Sequence, residues 1–246
     1  MMKDDILLVI SAHSADWVWR SSGTIAKYLE AGAKVVIVCL TYGVRGESTT
    51  LWKVEGQTAE GVRAARSEES HNAAAVLGVT DFEMWDFDDC MLQITPEILQ
   101  KLNEKIREVK PTLIITHDEG DSTNLDHAVA HTIVMQALKM ATQAGVPSNG
   151  LNPIKNVPVY GFEASEPERS GYRPDIYINI TTTFDKKVEA MKCIKAQKEG
   201  PFIHTRLSTH RGWQGARTVL GMKEMEYAES FKMFFPLAVE ELPSRK

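Results

Sequence analysis

Short apolar runs alternate with longer stretches of helical spacing along the first half of the chain, which is the sequence form of repeated βαβ units and a parallel sheet. Residues 6–10 predict the first strand. A helix is expected over about 21–31, closed by Gly32, and 34–40 predicts a second strand buried on both faces, because it is apolar without alternation. Over 58–77, Val62, Ala65, Ala73, Val76 and Leu77 recur at helical spacing and Gly78 stops the helix. Residues 81–85 predict the third strand. Thr95-Pro96-Glu97 reads as an N-cap followed by proline in the first turn, so a helix is expected as far as about Val109, before Pro111. The fourth strand is expected over 112–116. Helical spacing returns over 124–144 and stops at Gly145-Val146-Pro147, and 148–156 is turn-rich. Strands are expected over 157–162 and 176–180, with a helix over about 183–195. The residues beyond mix helix and loop without a clear order.

No linker, internal repeat or low-complexity segment divides the chain. Residues 1–246 are therefore expected to form a single α/β domain, three-layered and Rossmann-like, with a mostly parallel sheet and a decorated C-terminal part. A chain of 246 residues buries enough apolar surface to fold without disulfides. In such a sheet, ligands bind outside the carboxyl ends of the strands, so chemistry is to be sought just after each strand.

Composition narrows the ligand class. The 28 Lys+Arg against 33 Asp+Glu give a net charge of −5, without a Lys/Arg-rich block or interleaved aromatics, so no nucleic-acid partner is expected. No apolar stretch approaches the roughly 20 residues that span a bilayer, and the start lacks the basic and apolar regions of a signal peptide, so no membrane partner is expected. Cys39, Cys90 and Cys193 are odd in number and lack C-x-x-C spacing, which suits a reducing, cytoplasmic setting. A small molecule is the expected partner, and the exposed loops leave room for a homo-oligomer.

The strand ends carry a consistent polar set. Ser11-Ala12-His13-Ser14-Ala15-Asp16 follows the first strand and Arg45-Gly46-Glu47-Ser48 the second. Asp86 to Asp89 follows the third, and His117-Asp118-Glu119-Gly120-Asp121 with Asn124-Leu125-Asp126-His127 follows the fourth. A His and an Asp three apart in one loop, with a distant His at the same sheet edge, can supply N, O and N ligands to Zn²⁺ and leave a fourth position open. His/Asp/His ligation also accepts other divalent first-row ions. His-x-x-Asp alone is weak evidence, since both residue types are common in loops. His127 and His131 lie four apart on one helix; His127 is favoured as ligand and His131 as its support. His71 reads as a surface histidine, and His204 and His210 as flanking an Arg-rich loop.

The stretch His13-Ser14-Ala15-Asp16, the following Gly23-Thr24-Ile25-Ala26, Leu40-Thr41 and Asp126-His127 resemble the LmbE-like (PIG-L) family of zinc-dependent N-deacetylases. The resemblance implies a Rossmann-like fold with His13, Asp16 and His127 as zinc ligands. It also marks two departures: Ala15 stands where the family loop has the Asp that acts as general base, and Asn124 stands where the second element begins with His. An alanine cannot accept a proton, and amide hydrolysis needs a base and an acid.

Within that family the chain is most similar to the 4-oxalomesaconate (4-carboxy-2-hydroxymuconate) hydratases, on the alanine-bearing loop, Arg45-Gly46-Glu47-Ser48, Phe162-Glu163, Arg173-Pro174-Asp175 and Arg206 through Arg217. What this implies is a metal-dependent hydro-lyase of aromatic-acid catabolism acting on a small polycarboxylate. Glu47 is then the expected acid/base. Arg20, Arg45, Asn124, Arg211 and Arg217 are the expected substrate-binding residues, since guanidinium forks match carboxylates. Ser165 occupies the place of a His in the hydratase pattern, so either another group such as His204, His210 or His117 takes that proton or the substrate differs. A zinc-dependent N-deacetylase with an altered base is the rival reading, and a metal-binding relic used in ligand sensing is the third.

Overall fold

Two apolar hexapeptides lie side by side at the centre of the molecule. In the computed structural model, which describes residues 2–218 and 220–241, β1 (Ile6–Ser11) and β2 (Lys34–Cys39) pair in parallel from Ile6↔Lys34 to Ser11↔Cys39. Leu7 to Ile10 and Val36 to Val38 are fully buried, as strands covered on both faces must be. β3 (Asp81–Met84) pairs outside β2, while β4 (Leu113–Thr116) and then β5 (Val159–Phe162) extend the parallel sheet on the other side of β1. With β6 (Ile176–Asn179) and β7 (Ala228–Met233) the sheet has seven strands in the order β3-β2-β1-β4-β5-β7-β6. The sheet is mostly parallel, as expected. β7 alone runs antiparallel to its neighbours, and it inserts between β5 and β6.

The α-helices are α1 (Asp16–Glu30), the single turn α2 (Thr49–Trp52), α3 (Ala59–Leu77), α4 (Pro96–Val109), α5 (Leu125–Ala141), the single turn α6 (Pro167–Ser170), α7 (Phe184–Lys192) and α8 (Gly200–Ala216). One core unites Trp17, Ile25, Ala73 and Met191 of α1, α3 and α7 with Val9 and Ile37 of the sheet. The other unites Ile98, Ile106 and Val134 of α4 and α5 with Leu8 and Val36. Helices on both faces of the sheet make three layers. Local chemistry sets the ends. Thr58 Oγ1 accepts the Gly61 N–H at 3.1 Å, and Thr95 Oγ1 accepts the Ile98 N–H at 3.3 Å. Gly78 closes α3 in the left-handed region, at φ 85°.

Several boundaries differ from the sequence-based expectation. α1 starts at Asp16 rather than near Ser21, with Ala15 in the N-cap position and no side-chain cap to announce it. α5 stops at Ala141 and α7 spans only Phe184–Lys192. His204 and His210 lie on α8 rather than beside a loop, and Glu47 lies in the loop between β2 and α2. Among the described residues no helix is long and apolar enough to cross a membrane.

This topology positions the site. From β1 the chain moves outward through α1 to β2 and through α3 to β3, then crosses by α4 to β4 on the opposite side of β1. The loops after β1 and β4 therefore diverge to opposite faces, and the crevice between them is the topological switch point where open α/β sheets bind ligands.

Candidate metal centre and active site

The loop after β1 supplies His13, the first residue of α1 supplies Asp16, and the first turn of α5 supplies His127. One nitrogen or oxygen from each lies within 4.8 Å of the others, and all three side chains are buried. His13 Nδ1 is 3.1 Å from Asp16 Oδ2, and His127 Nε2 is 3.4 Å from the same oxygen and 3.3 Å from His13 Nδ1. Two imidazoles and a carboxylate converging on one point form the donor set that suits a divalent cation.

Each imidazole is held from behind by a carboxylate. His13 Nε2 lies 3.1 Å from Asp126 Oδ2, and the Cys90 N–H donates to that oxygen at 2.6 Å. His127 Nδ1 lies 2.8 Å from Asp121 Oδ2, which also accepts the Ser165 N–H at 2.8 Å and hydroxyl at 2.9 Å. Such outer carboxylates fix which ring nitrogen faces a metal and raise its basicity. Burial disfavours the His13 imidazolium, yet Asp16, Asp126 and Glu47 outweigh it and hold the pKa well above the ordinary value. Burial likewise opposes charge on His127, where Asp16 and Asp121 prevail and raise it. Asp16, despite burial, is held well below the usual carboxylate range by the two imidazoles. His117 differs: burial and its neighbour His127 push its pKa well down, and its Nε2 accepts the Ala12 N–H at 2.8 Å as a neutral ring would. To hold a divalent cation, His13 and His127 would have to present unprotonated nitrogens to it, so binding would be coupled to proton release.

A cavity of about 480 Å³ opens beside the trio, lined by Asp16 and His127 and also by Arg20, Glu47, Ser165, Gln197, Lys198 and His204. Glu47 is pinned at both oxygens. Asn124 Nδ2 donates to Oε1 at 2.9 Å and Gln197 Nε2 donates to Oε2 at 2.9 Å, while Oε1 is 3.9 Å from His13 Nδ1. The Gln197 amide has its direction imposed. Its oxygen accepts from Trp19 Nε1 at 3.4 Å and from Arg66 at 3.3 Å, and the buried Arg66 is paired with Glu69 at 3.0 Å. Only the amide nitrogen is left to face Glu47.

The sequence profile of the PIG-L family, described as GlcNAc-PI de-N-acetylase, matches residues 8–138, which include the whole His-Asp-His trio. The chain belongs to this family. It is 36% identical over 237 residues to the 4-oxalmesaconate hydratase of Pseudomonas putida, covering 96% of this chain and 91% of that protein. It is 27% identical to the diacetylchitobiose deacetylase of Thermococcus kodakarensis, covering 88% of this chain and 84% of the relative. The crystal structure of the 4-carboxy-2-hydroxymuconate hydratase from Pseudomonas putida superposes with a TM-score of 0.91 at 35% identity, over 97% of this chain and 100% of that one. The N,N′-diacetylchitobiose deacetylase of Pyrococcus horikoshii, at 20% identity and a TM-score of 0.77, shares the fold over 94% of this chain and 84% of its own.

On this PIG-L scaffold the expected arginines separate. Arg20 lines the cavity and donates to the Glu163 carbonyl and, at 3.1 Å, to Ser165 Oγ. Arg45, Arg211 and Arg217 do not line it. Arg45 is more than half exposed and pairs with Asp88 at 3.3 Å. The buried Arg211 is locked onto the Glu163 carboxylate, which also accepts the Ser230 hydroxyl at 2.6 Å, so its charge is already matched. Arg217 is exposed, 4.5 Å over the Trp213 ring. The cations facing the cavity are instead Arg20 and Lys198. Asn124 holds Glu47 rather than the trio. His131 Nδ1 bonds the His117 carbonyl at 3.0 Å and steadies the β4 loop, and His210 stacks on Trp213. Gln197 and Lys198 had no motif to mark them. Asp121 and Asp126 stand in quoted strand-end motifs, but nothing in the sequence tells an outer carboxylate from a ligand.

Proposed function

We propose that this chain is a zinc-dependent hydratase adding water to a conjugated polycarboxylic keto or enol acid. The observation that carries this reading is the 36% identity to a protein named 4-oxalmesaconate hydratase. It extends over 96% of the chain, and so includes the C-terminal segment that walls the cavity. Ala15 supports it. This residue is buried beside Asp16 and offers no carboxylate to activate water for amide hydrolysis.

His13, Asp16 and His127 would hold the ion, and the ion would supply Lewis-acid polarisation of a substrate oxygen. Hydration places a hydroxyl on one alkene carbon and a hydrogen on its neighbour, so one proton leaves water and one reaches carbon. Glu47, fixed by Asn124 and Gln197 and within 4 Å of His13, is the group assigned to that transfer. Arg20 and Lys198 attract the substrate's carboxylates, which the net charge of −5 otherwise repels.

The test is loss of ultraviolet absorbance from conjugated tricarboxylic enol and keto acids with metal-loaded protein. Glu47→Gln is expected to lower turnover by roughly 10²- to 10⁴-fold with metal content unchanged; full activity in that variant removes Glu47 from the mechanism. The second reading, N-deacetylation, is favoured by the family match to residues 8–138. Acetate release from N-acetyl sugars by the wild type would put deacetylation in place of hydration.

A further inference from the structure

The cavity that Asp16 and His127 line also contains an imidazole to which the proposed hydration gives no part. His204, on the first turns of α8, lies flat on Trp19 with ring centroids 5.2 Å apart and planes 8° from parallel. It lines the main cavity together with Arg20, and the two also line a narrow recess behind it. His204 Nδ1 is buried with no hydrogen-bond partner among the described residues, and so is Arg20 Nε. A buried polar atom without a partner costs about 1–3 kcal/mol, and more when it is a donor, so the unpartnered Nδ1 constrains which ring nitrogen carries the proton.

The tautomer follows from these surroundings. Arg20 and Lys187 place positive charge near the ring, and a bare Nδ1 lone pair is better tolerated there than an orphaned N–H. Nε2 then carries the proton, and it is the ring's remaining polar atom for the cavity that His204 lines. Burial and the two cations push the pKa of His204 well below its ordinary value, so the ring is neutral near pH 7. Glu163 is matched by Arg211 and Glu229 by Lys187, and Asp16, the carboxylate that acts on the ring from the trio, is engaged by His13 and His127. Ser165 cannot take the ring's place as donor, since its hydroxyl already donates to Asp121.

We infer that His204 and Arg20 form a carboxylate subsite of the cavity, in which His204 donates Nε2–H to one substrate carboxylate. The inference rests on the hydratase reading for the identity of the substrate, and on the cavity alone for the anion. It places an imidazole at the substrate from α8, in a chain with Ser165 at the position where the hydratase pattern carries one.

The experiment uses the metal-loaded full chain as wild type, His204→Phe and His204→Gln, with tricarballylate as an unreactive tricarboxylate probe in titration calorimetry. Phenylalanine keeps the stack on Trp19 and removes the donor; glutamine keeps an N–H near the Nε2 position. His204→Phe is expected to bind tricarballylate roughly tenfold or more weakly, with His204→Gln within about threefold of wild type, and with a thermal midpoint for His204→Phe no lower than that of wild type. Equal binding by wild type and His204→Phe, equal weakening of both variants, or no binding by the wild type overturns the subsite. A wild type that binds tricarballylate but hydrates no conjugated acid refutes the hydratase reading and leaves the subsite judged on binding alone.

Discussion

Asp121 is absent from the cavity lining, yet it decides which nitrogen of His127 faces the trio. Asp121→Asn is expected to weaken metal binding roughly 10- to 100-fold, read by chelator competition, because the amide can hold the wrong ring tautomer. His13→Ala or His127→Ala is expected to abolish stoichiometric metal content. The histidines also set opposing pH dependences in the metal-free protein. His117 and His204 have folded pKa values below the unfolded 6.5, so the unfolded chain takes protons first and stability falls as pH drops below about that value. His13 and His127 are raised, so their contribution is complete below 6.5 and is lost as pH climbs through their folded values. The thermal midpoint of metal-free protein is thus expected to decline on both sides of neutrality, and a midpoint flat from pH 5 to 9 would refute this balance.

At the scale of elements, the caps carry measurable stability. Thr95→Ala is expected to cost about 1 kcal/mol in denaturant unfolding, since the Ile98 N–H loses its acceptor. Gly212→Ala on α8 is expected to cost about 1–3 kcal/mol, because a Cβ there would stand 2.1 Å from the Glu226 carbonyl oxygen leading into β7. Elements with a local signal were legible in the sequence: the apolar β1 and β2, α3 between Thr58 and Gly78, and α4 behind Thr95-Pro96. The meeting of His13, Asp16 and His127 was legible only partly for the same reason: the first two lie just after β1, whereas His127, well beyond β4 and inside α5, was singled out with the help of the family resemblance. What escaped lacks local signals. α1 opens behind an alanine, and α8 carries Pro201, Gly212 and Gly215 with no one-sided apolar pattern. β7 holds Glu229, a residue that reads as exposed but is buried against Lys187 at 2.6 Å and accepts the N–H groups of Gly23 and Thr24. The arginines misled because charge alone does not say whether a partner already lies inside the protein.

Across the whole molecule the work is split along the chain. Residues before 130 build the trio and supply Glu47, while Gln197, which holds one oxygen of Glu47, closes the cavity with Lys198 and His204 from the C-terminal part. A chain ending at Arg217 retains His13, Asp16 and His127 but loses β7, and it is expected to be poorly soluble with weak near-ultraviolet dichroism. The cause is the insertion of β7 between β5 and β6, which leaves both strands without their shared neighbour when it is missing. During synthesis every nascent chain passes through that same half-finished condition. Until β7 is available to pair, one flank of the sheet stays unzipped, so the last-made strand of the sheet is also the one whose arrival closes it.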